Sequence, residues 1–94
     1  MFNRLLWRPD RVDHVAMHRL SPDEVEEAVF DDPDRKIFRG PRSNRDRTRH
    51  IYYVYGRTQA GRYLLVVLLN LGEGQALPVT ARDMTSRERQ RYGR

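Results

Sequence analysis

The 94-residue sequence predicts an α+β domain: a small twisted antiparallel sheet, two N-terminal helices and a short C-terminal helix. Three observations predict it. Val12, Val15, Ala16 and Leu20 fall on one face of a helix. Capping boxes open at Ser21 and at Thr85. Between them, residues 51–81 read as three strands separated by glycine-containing turns.

The elements follow in order. Leu5-Leu6-Trp7 is a short first strand or a segment that packs on the core, and Pro9 stands where a helix can start. Ser21-Pro22-Asp23-Glu24 supplies an N-cap serine, proline at N1 and glutamate at N3, with Val25, Ala28 and Val29 as the buried stripe. Asp31-Asp32-Pro33-Asp34 ends that helix, because the residue before proline disfavours helical geometry. Residues 35–49 hold seven cations among Gly40, Pro41, Ser43 and Asn44, and read as a brief strand at Ile37-Phe38 followed by a mobile basic loop. Ile51–Tyr55 is a strand, Gln59-Ala60-Gly61 a turn, and Tyr63–Leu71 a second strand. That strand is apolar on both faces, which predicts a central position covered on both sides. Gly72-Glu73-Gly74 turns into a third strand, Ala76–Ala81, where Pro78 predicts an edge or a bulge. Thr85-Ser86-Arg87-Glu88 opens a helix to Tyr92, with Gly93 just beyond it.

This length makes one domain, residues 1–94, with a modest core that removes about 60–65% of the unfolded surface from water. The net charge is +5, and seventeen of the eighteen basic residues are arginine. High genomic G+C content explains such a bias equally well. The charge itself favours an anionic partner, since arginine binds phosphate oxygens bidentately and stacks on bases. There is no cysteine, hence no disulfide and no thiolate metal site, consistent with a cytoplasmic protein. The N-terminus lacks the apolar region of a signal peptide, and Tyr63–Leu69 is too short to span a bilayer.

An ordered set of features resembles the BrnT family, toxins of bacterial type II toxin–antitoxin pairs with a RelE-like ribonuclease fold. It comprises Trp7, His18, the Ser21–Glu27 helix start, Tyr55-Gly56-Arg57-Thr58, Gly61-Arg62 and Thr80-Ala81-Arg82-Asp83-Met84 with its basic tail. The likeness spans residues 5–92 and departs from the family pattern in the 35–49 stretch and at His18-Arg19-Leu20. It implies a ribonuclease that cuts RNA without a metal or other cofactor and so inhibits translation. It also implies a small antitoxin, a ribbon-helix-helix DNA-binding protein, and assembly as a homodimer or a toxin–antitoxin heterotetramer.

Cutting RNA without a metal needs a base, an acid and fixed cations for the phosphorane. Arg57 and Arg82, at strand ends, are the candidate catalytic cations; solvated strand ends, or pairing of Arg82 with Asp83 or Glu88, is the structural alternative. His14, His18 and His50 are the candidate acid–base groups, since histidine titrates near neutrality, and His18 joins the candidate catalytic set. It shares a helix face with His14; that spacing is half a zinc site, but no third ligand is evident. Tyr92 stands among Arg87, Arg89 and Arg91 and completes the candidate catalytic set. Arg62, Arg42, Arg45, Arg47, Arg49 and His50 are candidate RNA-binding residues. A non-catalytic domain binding nucleic acid or protein through the same surface is the alternative reading. A DNA-binding module is disfavoured, because no recognition helix is visible.

Overall fold

The structure is a computed structural model and describes residues 1–93. Strand β1 is Arg4–Leu5, helix α1 is Pro9–Ala16, and α2 is Pro22–Glu26, which continues as a wider π-type turn over Glu27–Asp31. Strands β2 (Lys36–Arg42), β3 (His50–Arg57), β4 (Tyr63–Gly72) and β5 (Gln75–Asp83) follow, and α3 (Ser86–Tyr92) closes the described chain. The five strands form one sheet in the order β1-β5-β4-β3-β2.

The α+β class holds, and three details of the sequence reading are corrected, the third being the cover of β4. The sheet is mixed: β2 to β5 are antiparallel, but β1 lies parallel to β5, with Arg4 opposite Gln75. The 35–49 stretch is also mostly not a mobile loop. Lys36–Arg42 is a seven-residue strand paired to β3, and residues 43–49 are a tight turn. Glycine, proline and arginine disguised the strand. A bulge between Arg39 and Arg42 accommodates Gly40 and Pro41. In the turn, Ser43 Oγ accepts from Arg45 N, Asp46 carboxylate oxygens accept from Thr48 N and Arg49 Nε, and Ser43 N donates to Arg49 O.

Both capping boxes are present. Ser21 and Thr85 each accept the N3 backbone N–H, while Glu24 and Glu88 return to the cap N–H. Pro78 is fully buried beside a bulge, where Leu68 pairs with it and Val67 pairs with Thr80.

One sheet face builds the main core. Val54, Leu64, Val66, Leu68, Ala76 and Ala81 pack there against Val15 of α1, Val25 of α2, and Ala28 and Val29 of the π-type turn. Each large aliphatic side chain buried this way contributes roughly 1.5–3 kcal/mol. Gly56 lets β3 reach the helix backbone: a Cβ there would come within 2.1 Å of Ala28 O. The opposite face is covered at one end only, where Tyr55, Leu65 and Met84 are buried among Phe38, Tyr53, Tyr63 and Tyr92. β4 is therefore central but not enclosed on both sides, and Val67 and Leu69 stay half-exposed. Among the described residues, no helix is long and apolar enough to cross a membrane.

Candidate nucleic-acid interface

The β3–β4 hairpin turn fixes the site end of the sheet. Thr58 N donates to Arg62 O, Gly61 takes a left-handed φ of 96°, and Arg57 consequently stands opposite Tyr63 on the face that carries α3. The Arg57 guanidinium lies 5.3 Å from the Tyr63 ring centre and packs over Gly61, where a Cβ would sit 3.4 Å from its Nη2. From α3, the Arg89 guanidinium lies 4.0 Å from the same ring, and Tyr92 meets it edge-on with centroids 5.6 Å apart. Among the described residues, neither Arg57 nor Arg89 has a carboxylate at ion-pair distance. Tyr63, Ser86, Arg89, Gln90, Tyr92 and Gly93 line an open pocket of about 380 Å³ beside them.

Tyr92 joins this cluster to the turn after α2. Its hydroxyl donates to Asp32 Oδ2 at 2.6 Å, and the same oxygen accepts Arg57 N at 2.9 Å. Burial and then the bond to Asp32 push the Tyr92 phenol well above the ordinary tyrosine range, so it is a fixed neutral donor. Asp31, Asp32 and Asp34 form the far wall with Arg57, leaving the α3 side as the cationic approach.

The other candidate residues are distributed differently. Arg82 holds Glu88 with two bonds of 2.8 and 3.0 Å, and that contact lowers the Glu88 pKa. Arg82 is thus neutralised and anchors α3 to β5. Arg62 is more fully occupied. It holds both oxygens of Asp83 and donates to the carbonyls of His18 and Arg19, clamping the α1–α2 connection to the sheet. These contacts place His18 and Arg62 on the main-core side, opposite Arg57 and Tyr92. His14 is bound to Thr80 Oγ1 at 2.8 Å and stacks edge-on with His18.

No family model matches the chain, and no curated protein matches it.

A second cationic group lies at the other end of β3. Arg39 and Arg42 of β2 flank His50, which pairs with Arg42 across the ladder. Partial desolvation, then the charges of Arg39 and Arg42, lower the His50 pKa and keep it neutral near pH 7. Arg42 donates to Arg47 O, and Arg49 is paired with Asp46 and bonded to Asn70 O. Arg45 and Arg47 are exposed, with no carboxylate at ion-pair distance among the described residues. His50 and Arg57 are seven residues apart on one strand, or about 23 Å.

Tyr63, Arg89 and Asp32 are site residues outside the candidate set read from the sequence, although Tyr63 is one of its tyrosine rings near cations and Arg89 one of the cations around Tyr92. The register Arg57–Tyr63 follows from a five-residue hairpin turn, a readable signal for Tyr63. Arg89 and Asp32 carry no comparable signal, since only the folded chain brings α3 and the 31–34 turn to the same hairpin. Among the described residues, no three His, Asp or Glu side chains are grouped to hold a metal ion.

Proposed function

We propose that this protein is a ribonuclease toxin with a RelE-like fold, opposed by a small DNA-binding antitoxin that covers its site. One observation carries the reading: Arg57 and Arg89, neither with a carboxylate at ion-pair distance among the described residues, share the Tyr63 ring beside an open pocket. A ring with two cations suits a base and its phosphate together. In the cleavage step the 2′-oxygen bonds to phosphorus as the bond to the 5′-oxygen breaks; water takes the 2′-hydroxyl proton and returns one to the leaving 5′-oxygen, while both guanidiniums hold the added negative charge. The resemblance of the hairpin and basic tail to BrnT toxins supports the same reading. In the test, induced expression arrests growth and the purified protein cuts RNA in the presence of a chelator. Normal growth together with intact free and ribosome-bound RNA would overturn it.

A second reading has its own support. None of the three histidines belongs to the Arg57 cluster: His14 is bound to Thr80, His18 lies on the main-core side, and His50 is at the far end of β3. With no histidine to act as general base near neutrality, the cluster suits RNA binding without cleavage. Tight RNA binding by Arg57 and Arg89 with no cleavage selects this reading.

A further inference from the structure

The half of the open sheet face that α3 leaves bare is a trough of about 300 Å³. Its floor is aliphatic: Ile51, Leu69, Leu77 and Val79, all half-buried. One wall is the start of α1, where Arg8 and Arg11 flank Asp10; the other is the β2–β3 turn with Arg45. Arg11 is held in the wall by bonds to Val79 O at 2.8 Å and to Asp10 at 3.1 Å. Arg45 is exposed.

This composition selects the occupant. Bases stack on aromatic rings, and among the described residues no aromatic ring lines the trough; Phe38, Tyr55, Tyr63 and Tyr92 belong to the end beneath α3. An aliphatic floor instead takes the apolar stripe of a helix laid into a groove. Three arginines against one aspartate make the rim positive, matching acidic flanks on that helix and repelling basic ones. The geometry points to a docking groove for an acidic amphipathic helical segment of a partner protein. It lies at the opposite end of β3 from the Arg57–Tyr63–Arg89 cluster, so a helix confined to it leaves that cluster uncovered. The groove does not depend on RNA cleavage, and its test is read separately from that activity.

The test uses the full chain and a labelled peptide of about 18 residues, long enough to form a helix. Leucines sit at helical i, i+3, i+4, i+7 spacing with glutamates on the flanks. Controls are a scrambled peptide, the same peptide with lysine for glutamate, and a single-stranded oligouridylate. Anisotropy gives affinity, and methyl NMR shifts give location. The acidic peptide binds at least about tenfold more tightly than either control peptide and shifts the methyls of Ile51, Leu69, Leu77 and Val79. Arg45→Glu, on an exposed side chain, weakens it about fivefold. Leu77→Glu weakens it further, with melting temperature confirming the fold. The proposal is overturned if the acidic peptide binds no better than the scrambled one, or if Arg45→Glu has no effect. Shifts confined to the Tyr63 end also overturn it, and oligouridylate moving the groove methyls would make the trough a nucleic-acid site instead.

Discussion

Arg82 and Glu88 face each other through two parallel hydrogen bonds, and Glu88 also accepts the Thr85 N–H that caps α3. One carboxylate therefore joins the last strand to the last helix. Glu88→Ala removes both functions and destabilises the fold by about 1–2 kcal/mol, whereas Arg82→Ala removes the partly exposed ion pair and an exposed bond to Asp83 O but leaves the cap, about 0.5–1 kcal/mol. Urea denaturation of the two variants checks the order. A larger loss for Arg82→Ala would contradict it.

Arg57→Ala and Arg89→Ala each lower RNA cleavage at least about tenfold, a barrier change of about 1.4 kcal/mol. Neither side chain is ion-paired among the described residues, so melting temperatures stay near the parent value. Parallel assays of cleavage and melting separate a site role from a structural one.

Tyr92→Phe leaves the buried Asp32 carboxylate without its shortest bond, costing about 1–2 kcal/mol near pH 7. The sign with pH follows from the raised phenol pKa. The stabilisation is complete below the ordinary tyrosine value of about 10 and is lost as pH rises toward the higher folded value. Alkaline unfolding monitored by circular dichroism should come at higher pH relative to neutral stability in Tyr92→Phe than in the parent.

Neutralising Arg42, Arg45 and Arg47 together weakens RNA binding and lowers the slope of log affinity against log salt by about two, with cleavage at saturating RNA changing less than about threefold. His50 adds a pH signature. Its pKa is lowered in the free protein, and a bound phosphate raises it, so binding tightens as pH falls from 7 toward 5. His50→Gln removes that tightening, which titrations at pH 5, 6 and 7 detect.

Arg19 occupies a left-handed conformation with φ of 60°, which a side chain disfavours. Arg19→Gly is expected to stabilise by about 0.5–1 kcal/mol. Its carbonyl, which accepts Arg62, is kept, so a higher melting temperature is the readout.

Much of the fold was legible because the signals were local. Ser21 and Thr85 announced their helices through cap chemistry, and the apolar run from Tyr63 announced the central strand. β1 was not legible as a parallel strand, because two residues carry no periodicity and their partner, Gln75–Ala76, is 71 residues away. Asp31–Asp34 was readable as a helix stop, but not as the seat of Tyr92. Of the site, Arg57 and Tyr92 were singled out and stand together, while Arg62 and Arg82 carried the same sequence signal and are held by Asp83 and Glu88. Which face a side chain takes at a hairpin, and which acid waits there, is decided by tertiary contacts.

The margins of the sheet limit how this protein can associate. On one side β2 carries Pro41, a bulge and the exposed Arg39 and Arg42, which discourage strand addition. On the other, β1 takes the start of β5, and Arg11 and His14 of α1 take Val79 O and Thr80 Oγ1 further along. With neither border an inviting ladder, a partner would have to be recognised through side chains. High protein concentration would then carry little risk of edge-to-edge aggregation, and affinity could be tuned by single substitutions without disturbing the sheet.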